Sequence, residues 1–366
     1  MKFKIKKEIF EKEIERTSNG IFVQGNSPLS GYYLKATREG LSIISTNGEL
    51  SFKSFINSDK IDIIEVGICL IDGFFLKNII KKSENFINFE IKSTEALISW
   101  ENASFSKVLK DHTIFPEVNF DPIGIKVKVN AKELKKAIKN THFAASSNVN
   151  SPILSSINIK SQDNILIFSA TDTNRFASDK ISISEPVDID VSINSENLKN
   201  FIPSEVEGEI ELFVSENKVN FTYDNLTIQT KVLNVPYKDI SNVIPKPESL
   251  IYRLKIEKKE ILSLIDKATV IAPGKDSAIT FHLSKKEITA SISKQETGQS
   301  KVKSDKVIKY SGEDVLINVN FKYLKDAISV FDKDINIFVD ERKTRILIIS
   351  EHEKTITQLV GLVLKW

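Results

Sequence analysis

The stretch Ser169 to Ala177, SATDTNRFA, lies near the middle of the 366-residue chain and directly follows the apolar run Ile165 to Phe168. The run predicts a strand, and the Thr, Asp and Asn residues behind it are turn formers that predict the end of that strand. Arg175 and Phe176 are therefore expected at a surface edge beside a turn. An ordinary turn would explain this stretch alone, but its surroundings recur elsewhere in the chain.

The chain repeats one pattern three times, at a period of roughly 124 residues. A short strand runs into an amphipathic helix at Phe3-Lys4-Ile5, Val127-Lys128-Val129 and Leu254-Lys255-Ile256. A second helix follows in each copy, marked by Leu76, Leu198 and Leu324, with the helix-capping residues Asp72, Asn194 and Asn320 in front. The repeat predicts an α+β fold of three domains, each with two helices on an antiparallel sheet, over residues 1–122, 123–247 and 248–366.

Composition and motifs argue against most kinds of enzyme. Cys69 is the single cysteine and the four histidines lie far apart, so neither a disulfide nor a metal site is expected. No phosphate-binding glycine loop and no G-x-S-x-G elbow occurs, and no cofactor is expected. The start alternates charged and apolar residues and no run is long enough to span a membrane, so we expect a cytoplasmic protein. An enzyme would need residues that only folding brings together.

The net charge of +2 neither supports nor excludes nucleic acid as a partner, because the distribution of charge decides affinity. Lysines recur at related positions on the predicted helices. A solvated lysine is the plain alternative for each of them. If the helices share one surface, that surface would contact phosphates without reading bases. The candidate DNA-binding residues are Lys77, Lys132, Lys136, Lys139, Lys199 and Lys325.

Several motifs resemble the bacterial sliding clamps, the beta subunits of DNA polymerase III, over the whole chain. They are Met1-Lys2-Phe3, the Ala-Thr-Asp-x-x-Arg-x-Ala pattern at 170–177, the Tyr-x-Asp-x-x-x-Val-Ile-Pro pattern at 237–245, Asn320 with Tyr323, and the apolar tail 360–364. The resemblance implies a non-enzymatic processivity factor for DNA replication, a head-to-tail homodimer that forms a six-domain ring around duplex DNA. Its implied partners are the polymerase III alpha subunit, the ATP-driven clamp loader and repair proteins, with no membrane involved.

The resemblance also implies a peptide-binding pocket between the second and third domains. Carried over by motif, its walls are Leu154, Thr171, Thr173, Arg175, Phe176, Val243, Asn320, Tyr323, Ile346, Val360, Leu362 and Leu364. The implied dimer interface sets Phe105 against Val270 and Ile271. For Phe105 an ordinary core position is the alternative. Two rival functions stay open: a partner-docking hub of the same fold without a replication role, and an enzyme acting on nucleic acid.

Overall fold

The structure, a computed structural model, describes residues 1–22, 27–148, 150–237, 240–271, 278–294 and 298–363. Its helices are α1 Lys7–Arg16, α2 Gly73–Lys82, α3 Ala131–Thr141, α4 Ser195–Lys199, α5 Lys258–Ala268 and α6 Phe321–Ser329. Its strands are β1 Lys2–Lys6, β2 Gly31–Thr37, β3 Gly40–Thr46, β4 Leu50–Asn57, β5 Ile61–Glu65, β6 Gly67–Asp72, β7 Phe86–Lys92, β8 Glu95–Trp100, β9 Ala103–Val108, β10 Ile125–Asn130, β11 Ser156–Gln162, β12 Ile165–Thr171, β13 Arg175–Ser182, β14 Asp190–Asn194, β15 Glu209–Val214, β16 Lys218–Tyr223, β17 Leu226–Lys231, β18 Leu250–Glu257, β19 Ala278–Leu283, β20 Ile288–Lys294, β21 Gly298–Ser304, β22 Val307–Ser311, β23 Val315–Asn320, β24 Asp334–Asp340, β25 Arg345–Ile349 and β26 Thr357–Gly361.

The helices begin and pack as their sequences predict. Asp72 caps α2 by accepting the backbone N–H of Phe75 at 2.8 Å. The second-helix leucines Leu76, Leu198 and Leu324 are all buried, at 0%, 2% and 2% exposure. Each lies on the second helix of its repeat, and every strand pair in the described residues is antiparallel. The predicted α+β class is confirmed.

One compact unit comprises Met1–Lys132 and Glu196–Val232. It contains a five-stranded sheet of order β5-β1-β7-β8-β9 and an eight-stranded sheet of order β10-β15-β16-β17-β4-β3-β2-β6. Its core includes Phe3, which stacks on Phe89 with ring centroids 4.8 Å apart and meets the edge of Phe10 at 5.9 Å. The first strand and the first helix are therefore joined through aromatic packing.

The other compact unit comprises Glu133–Ser195 and Leu233–Trp366. It contains a nine-stranded sheet of order β14-β11-β12-β13-β26-β25-β24-β18-β22 and a four-stranded sheet of order β21-β20-β19-β23. Helices α5 and α6 bury one apolar face each in its main core, for example through Ile261 and Ile328. The strand that ends at the turn-forming stretch, β12, lies inside the large sheet.

The compact units number two although the sequence repeats three times, because neighbouring repeats share sheets. Strand β4 of the first repeat pairs with β17 of the second, and β13 of the second pairs with β26 of the third. Hydrogen bonding thus joins successive repeats edge to edge. The domain boundaries near residues 122 and 247 stay a prediction.

Candidate functional site

The turn between β12 and β13 is held by its own side chains. Asp172 Oδ1 accepts the backbone N–H groups of Asn174 and Arg175, each at 3.0 Å. The Thr171 hydroxyl donates to the Arg175 carbonyl at 2.6 Å. Thr173 has a φ of 78°, a left-handed conformation that is uncommon for residues other than glycine and typical of turns. Backbone and side chains together fix the place where the strand stops.

A cavity of about 480 Å³ opens beside this turn, and we call it the strand-end cavity. Six of the twelve residues predicted for a peptide-binding pocket line it: Leu154, Thr171, Thr173, Arg175, Phe176 and Val243. The lining residues that sequence reasoning missed are Ser151, Ile153, Asn174, Tyr237, Ile240, Arg345, Leu359 and Gly361. That these residues bind a peptide stays a prediction.

The apolar floor of the strand-end cavity is one face of the nine-stranded sheet. Phe176 pairs with Leu359 across β13 and β26, and Leu359 pairs with Leu347 across β26 and β25. Directly opposed residues share a face, and all three side chains are 4–7% exposed. Ile240 and Val243, near the end of the second repeat, pack against them. Apolar walls on two sides suit an extended peptide with hydrophobic anchors.

Ile346 and Val360 lie away from the strand-end cavity. Both side chains lie in the main core of their unit, at 1% and 0% exposure, and do not line the cavity. Side chains alternate between the two faces of a strand, so the neighbours Leu359 and Gly361 face the cavity instead. A shift of one residue along a strand exchanges its two faces, so the binding role predicted for Ile346 and Val360 stays a prediction.

Three other predicted wall residues have different places. Asn320 is the N-cap of α6, where its Oδ1 accepts the backbone N–H groups of Lys322 at 3.0 Å and Tyr323 at 3.4 Å. Leu362 is half-buried against the main core and forms an isolated backbone bridge with Val319. None of Asn320, Tyr323 and Leu362 lines the strand-end cavity. The predicted residue Leu364 lies outside the described residues.

Arg175 fastens the turn to helix α6. Its Nε lies 2.9 Å from Asp172 Oδ2, and its Nη1 lies 2.8 Å from Asp326 Oδ2 on α6. The guanidinium also lies 4.3 Å from the ring centroid of Tyr323, a cation–π contact, and 5.6 Å from that of Phe143. Two carboxylates therefore balance the charge of Arg175, so we assign it a positioning role at the cavity and not the capture of an anion.

Tyr237 is the most informative residue that sequence reasoning did not assign to the site. Its hydroxyl is buried and has no hydrogen-bond partner within the described part of the chain. Burial raises the pKa of this phenol, so it remains a protonated donor at neutral pH. The Tyr-x-Asp-x-x-x-Val-Ile-Pro pattern at 237–245 contains it and was the available signal.

The six candidate DNA-binding lysines lie on helices, as predicted. Lys132, Lys136 and Lys139 are exposed on α3, whose buried side carries Leu134 and Ile138. The other three lysines have polar partners. Lys77 Nζ lies 3.3 Å from the Ser18 hydroxyl, Lys199 Nζ lies 3.8 Å from the Glu196 carboxylate, and Lys325 Nζ lies 2.7 Å from the Asp266 carboxylate. Exposed pairs of this kind are weak and open to exchange with a phosphate. Contact with DNA stays a prediction for all six.

Two of the three residues predicted for a dimer interface are exposed on the surface. Phe105 is 37% exposed on β9, the edge strand of the five-stranded sheet, and stacks on Trp100 with centroids 5.2 Å apart. Val270 is 77% exposed, whereas Ile271 is half-buried against the main core of its unit. An exposed edge strand and an exposed valine are features that a partner chain can cover.

The described residues offer little support for other chemistry. Among the described residues no group of three His, Cys, Asp or Glu side chains is placed to hold a metal ion. No helix in the described ranges is long and apolar enough to cross a membrane. Cys69 is 1% exposed, and burial raises the pKa of its thiol to about 12, so it behaves as a small core residue.

The fold defines the class of protein: α+β repeats joined edge to edge through shared antiparallel sheets, as in clamp-type proteins. Known families agree with this class. The DNA polymerase III beta subunit N-terminal domain matches residues 1–118, its central domain residues 128–239 and its C-terminal domain residues 241–361. The chain belongs to the DNA polymerase III beta subunit family, the sliding clamps.

Individual relatives lead to the same family. The beta sliding clamp of Mycoplasmopsis pulmonis is 32% identical over 371 residues, which cover 99% of both chains. That of Streptococcus pneumoniae serotype 4 is 26% identical over 91% of this chain and 90% of its own. Among solved structures, the Bacillus subtilis sliding clamp matches with a TM-score of 0.92 at 23% identity, and the Pseudomonas aeruginosa clamp bound to griselimycin with 0.88 at 18%, each over the full length of both chains. The predicted family, fold and processivity-clamp function are confirmed.

Proposed function

We propose that the chain acts without chemistry of its own, as a ring that encircles duplex DNA and tethers replication and repair proteins through the strand-end cavity. The observation that carries this proposal is the combination of a family match along nearly the whole chain with an apolar, peptide-sized cavity at a strand end. A tether needs only a closed path around DNA and a place to dock partners. Neither requirement involves a catalytic group.

The ring is proposed to be a head-to-tail homodimer. Strand β9 carries unpaired backbone groups along its free edge, and Phe105 is exposed on it. Val270 offers an exposed apolar surface in the other compact unit. Burying Phe105 of one chain against Val270 and Ile271 of another would satisfy both surfaces and, repeated at the second junction, would close a six-domain ring.

Duplex DNA is the proposed occupant of the ring, held by weak contacts from helix lysines to phosphates. Sliding requires that these contacts be nonspecific and individually weak. The exposed lysines of α3 fit this role because their apolar neighbours fix the helix while their ammonium groups remain in solvent.

The proposed docking partners are the polymerase III alpha subunit, the clamp-loader ATPase and repair proteins, each through a short peptide with apolar anchors. The proposed location is the cytoplasm, where a bacterial replication factor works. Griselimycin, which is bound to the Pseudomonas aeruginosa clamp, is a natural competitor to try against such peptides.

Loading onto circular DNA tests the function as a whole. The purified chain is incubated with nicked circular DNA, ATP and its matching clamp loader, and bound protein is separated by gel filtration. A ring stays on the circle and is released when the circle is cut to a linear molecule. Equal retention on circles and on linear DNA would contradict encirclement and favour an enzyme or another direct binder.

The docking-hub alternative predicts a different pair of results. A hub without a replication role would bind apolar peptides at the strand-end cavity but would not be retained on circular DNA. Failure of peptide binding together with normal retention would leave the ring in place and remove the cavity assignment. The two halves of the proposed function can therefore fail separately.

A further inference from the structure

A second cavity, of about 470 Å³, lies on the same sheet as the strand-end cavity. We call it the polar cavity, because nine of its thirteen lining residues carry a hydroxyl, amide or charged group, among them Asn158, Lys160, Lys180 and Asp190. Three residues, Phe176, Tyr237 and Ile240, line both cavities. The two cavities are therefore neighbours on either side of a shared apolar ridge.

Strand alternation explains why the two cavities share a face. Phe176, Ser178 and Lys180 are alternate residues of β13, so their side chains point to the same side of the sheet. Phe176 lines the strand-end cavity, and all three line the polar cavity. A chain bound on the apolar floor meets the lysine end of the same strand if it continues past Phe176.

The polar cavity has an excess of positive charge. Asp190 is already engaged, since its Oδ1 accepts from Asn158 Nδ2 at 2.8 Å and its Oδ2 lies 3.6 Å from Lys160 Nζ. Asn158 is only 6% exposed, which makes this part of the wall fixed. Lys180 is exposed, and within the described part of the chain no ion pair joins it to a carboxylate. Among the described lining residues, two lysines thus stand against one aspartate.

Tyr237 adds a hydrogen-bond donor at the ridge. Its buried hydroxyl has no partner among the described residues, and its ring lines both cavities. Leaving a buried donor unpaired is costly, so an acceptor that reaches it from a bound chain gains a hydrogen bond at little expense. A peptide supplies such acceptors at every residue.

We propose that a peptide docked in the strand-end cavity continues across the Phe176–Tyr237 ridge into the polar cavity, where Lys180 and Lys160 select an acidic side chain next to the apolar anchors. The inference rests on the proposed docking function and specifies its ligand: apolar anchors flanked by Asp or Glu. Partners with neutral or basic flanks would dock less tightly. The polar cavity then sets the order of preference among peptides that share the same anchors.

The test compares neutral, acidic and basic fluorescein-labelled peptides, each made in two series, by fluorescence anisotropy. The neutral probe is Ac-Ala-Leu-Ala-Leu-Phe-Ala-NH₂ extended by two asparagines, and the acidic probe carries two aspartates in their place. In one series the extension precedes the apolar anchors, and in the other series it follows them. The basic probe carries two lysines. For one partly exposed ion pair we expect the acidic probe to bind about two- to fivefold tighter than the neutral one, in one series only.

Protein variants test whether the tighter binding of the acidic probe comes from the polar cavity. Lys180→Glu should remove the preference for the acidic probe, make the basic probe the tighter one, and leave the affinity for the neutral probe unchanged. Lys285→Glu is the matched control, since Lys285 is an exposed turn lysine that lines neither cavity. The advantage should shrink when salt is raised from about 0.05 to 0.5 M, as screening requires.

Each result decides something. Equal binding of acidic and neutral probes in both series overturns the inference while leaving docking intact. A preference that survives Lys180→Glu, or that falls as much in Lys285→Glu, also overturns it, because the attraction would then come from the protein's overall field. Failure of the neutral probe to bind at all overturns the docking function and this inference with it.

Discussion

Shortening Leu154 to alanine should weaken peptide binding at the strand-end cavity without unfolding the protein. Leu154 lines the cavity and is half-buried in the protein alone. The change removes three carbons, and burial of each is worth about 0.8 kcal/mol, which gives an upper limit of about 2.4 kcal/mol. Because at most about a third of Leu154 is still exposed to water, we expect about 0.8 kcal/mol, or roughly a fourfold rise in Kd.

The assay is anisotropy titration of a fluorescein-labelled peptide with Leu and Phe anchors. Ile165→Ala is the matched control, because Ile165 is 37% exposed on β12 of the same sheet and lines neither cavity. Circular dichroism melting verifies that both variants fold. An unchanged Kd in a folded Leu154→Ala protein would refute the placement of the peptide, whatever the control does.

A second pair of variants tests the face assignment in the same assay. Leu359→Ala and Val360→Ala both remove buried carbons, from side chains at 5% and 0% exposure, and both should lower the melting temperature. Only Leu359 lines the cavity, so only Leu359→Ala should also raise Kd. Equal losses of affinity would show that the tail acts through stability and not through contact.

Three further predictions concern DNA, assembly and pH. A triple variant replaces the exposed helix lysines Lys132, Lys136 and Lys199 with Glu. It should be retained less on circular DNA, and the slope of log affinity against log salt concentration should flatten by about one unit per lost phosphate contact. The mass of the assembly measured by light scattering should not change. Val270→Glu should shift the dimer toward monomer in analytical ultracentrifugation, whereas Leu316→Glu, at a 61% exposed position away from the proposed interface, should not. Hydrogen bonds from the Lys255 ammonium hold the pKa values of Asp334 and Glu351 below their usual range, so this cluster stabilises the fold above about pH 4 and loses its effect as pH falls through the lowered values. Lys255→Met should therefore reduce the drop in melting temperature between pH 7 and pH 3.

Much of the fold could be predicted from residues that lie close together in the sequence. The helix-capping residues Asp72 and Asn320 make the predicted bonds to backbone N–H groups, because capping depends only on residues within one turn. The turn after β12 was likewise visible, since Asp172 bonds to residues two and three positions later. The repeat supplied the rest by showing that one local pattern occurs three times.

Contacts between strands that are far apart in the sequence could not be predicted in this way. The tail alternates apolar residues on both faces, as Leu359 and Val360 show, so its pattern does not reveal which face meets the core. Pairing with β13 and β25 decides the register, and the pairing with β13 joins residues about 180 positions apart in the sequence. The partners of Arg175 on α6 depend on the same long-range packing.

The two junctions between repeats share the same kind of strand pairing and differ in the side chains that the pairing brings together. In the first repeat Thr46 pairs with Ser51, and at the equivalent place in the second repeat Thr171 pairs with Phe176. Ser51 therefore occupies in the first repeat the position that Phe176 occupies in the second. Ser51 in turn pairs with Gln229, where Phe176 pairs with Leu359.

Polar residues at the earlier junction hold the chain itself. Lys218 Nζ donates to the Asn119 carbonyl at 2.7 Å, and Asn220 Nδ2 donates to the carbonyls of Phe120 at 3.3 Å and Asp121 at 3.0 Å. The segment between the first two repeats is thus bound through its backbone at the strand next to Gln229. At the later junction the corresponding pair is apolar, and Ile240 and Val243 pack on it through side chains beside an open cavity. The serine–glutamine pair thus belongs to a junction that binds its own linker, whereas the phenylalanine–leucine pair belongs to one beside an open apolar cavity, as the proposed docking of another chain requires.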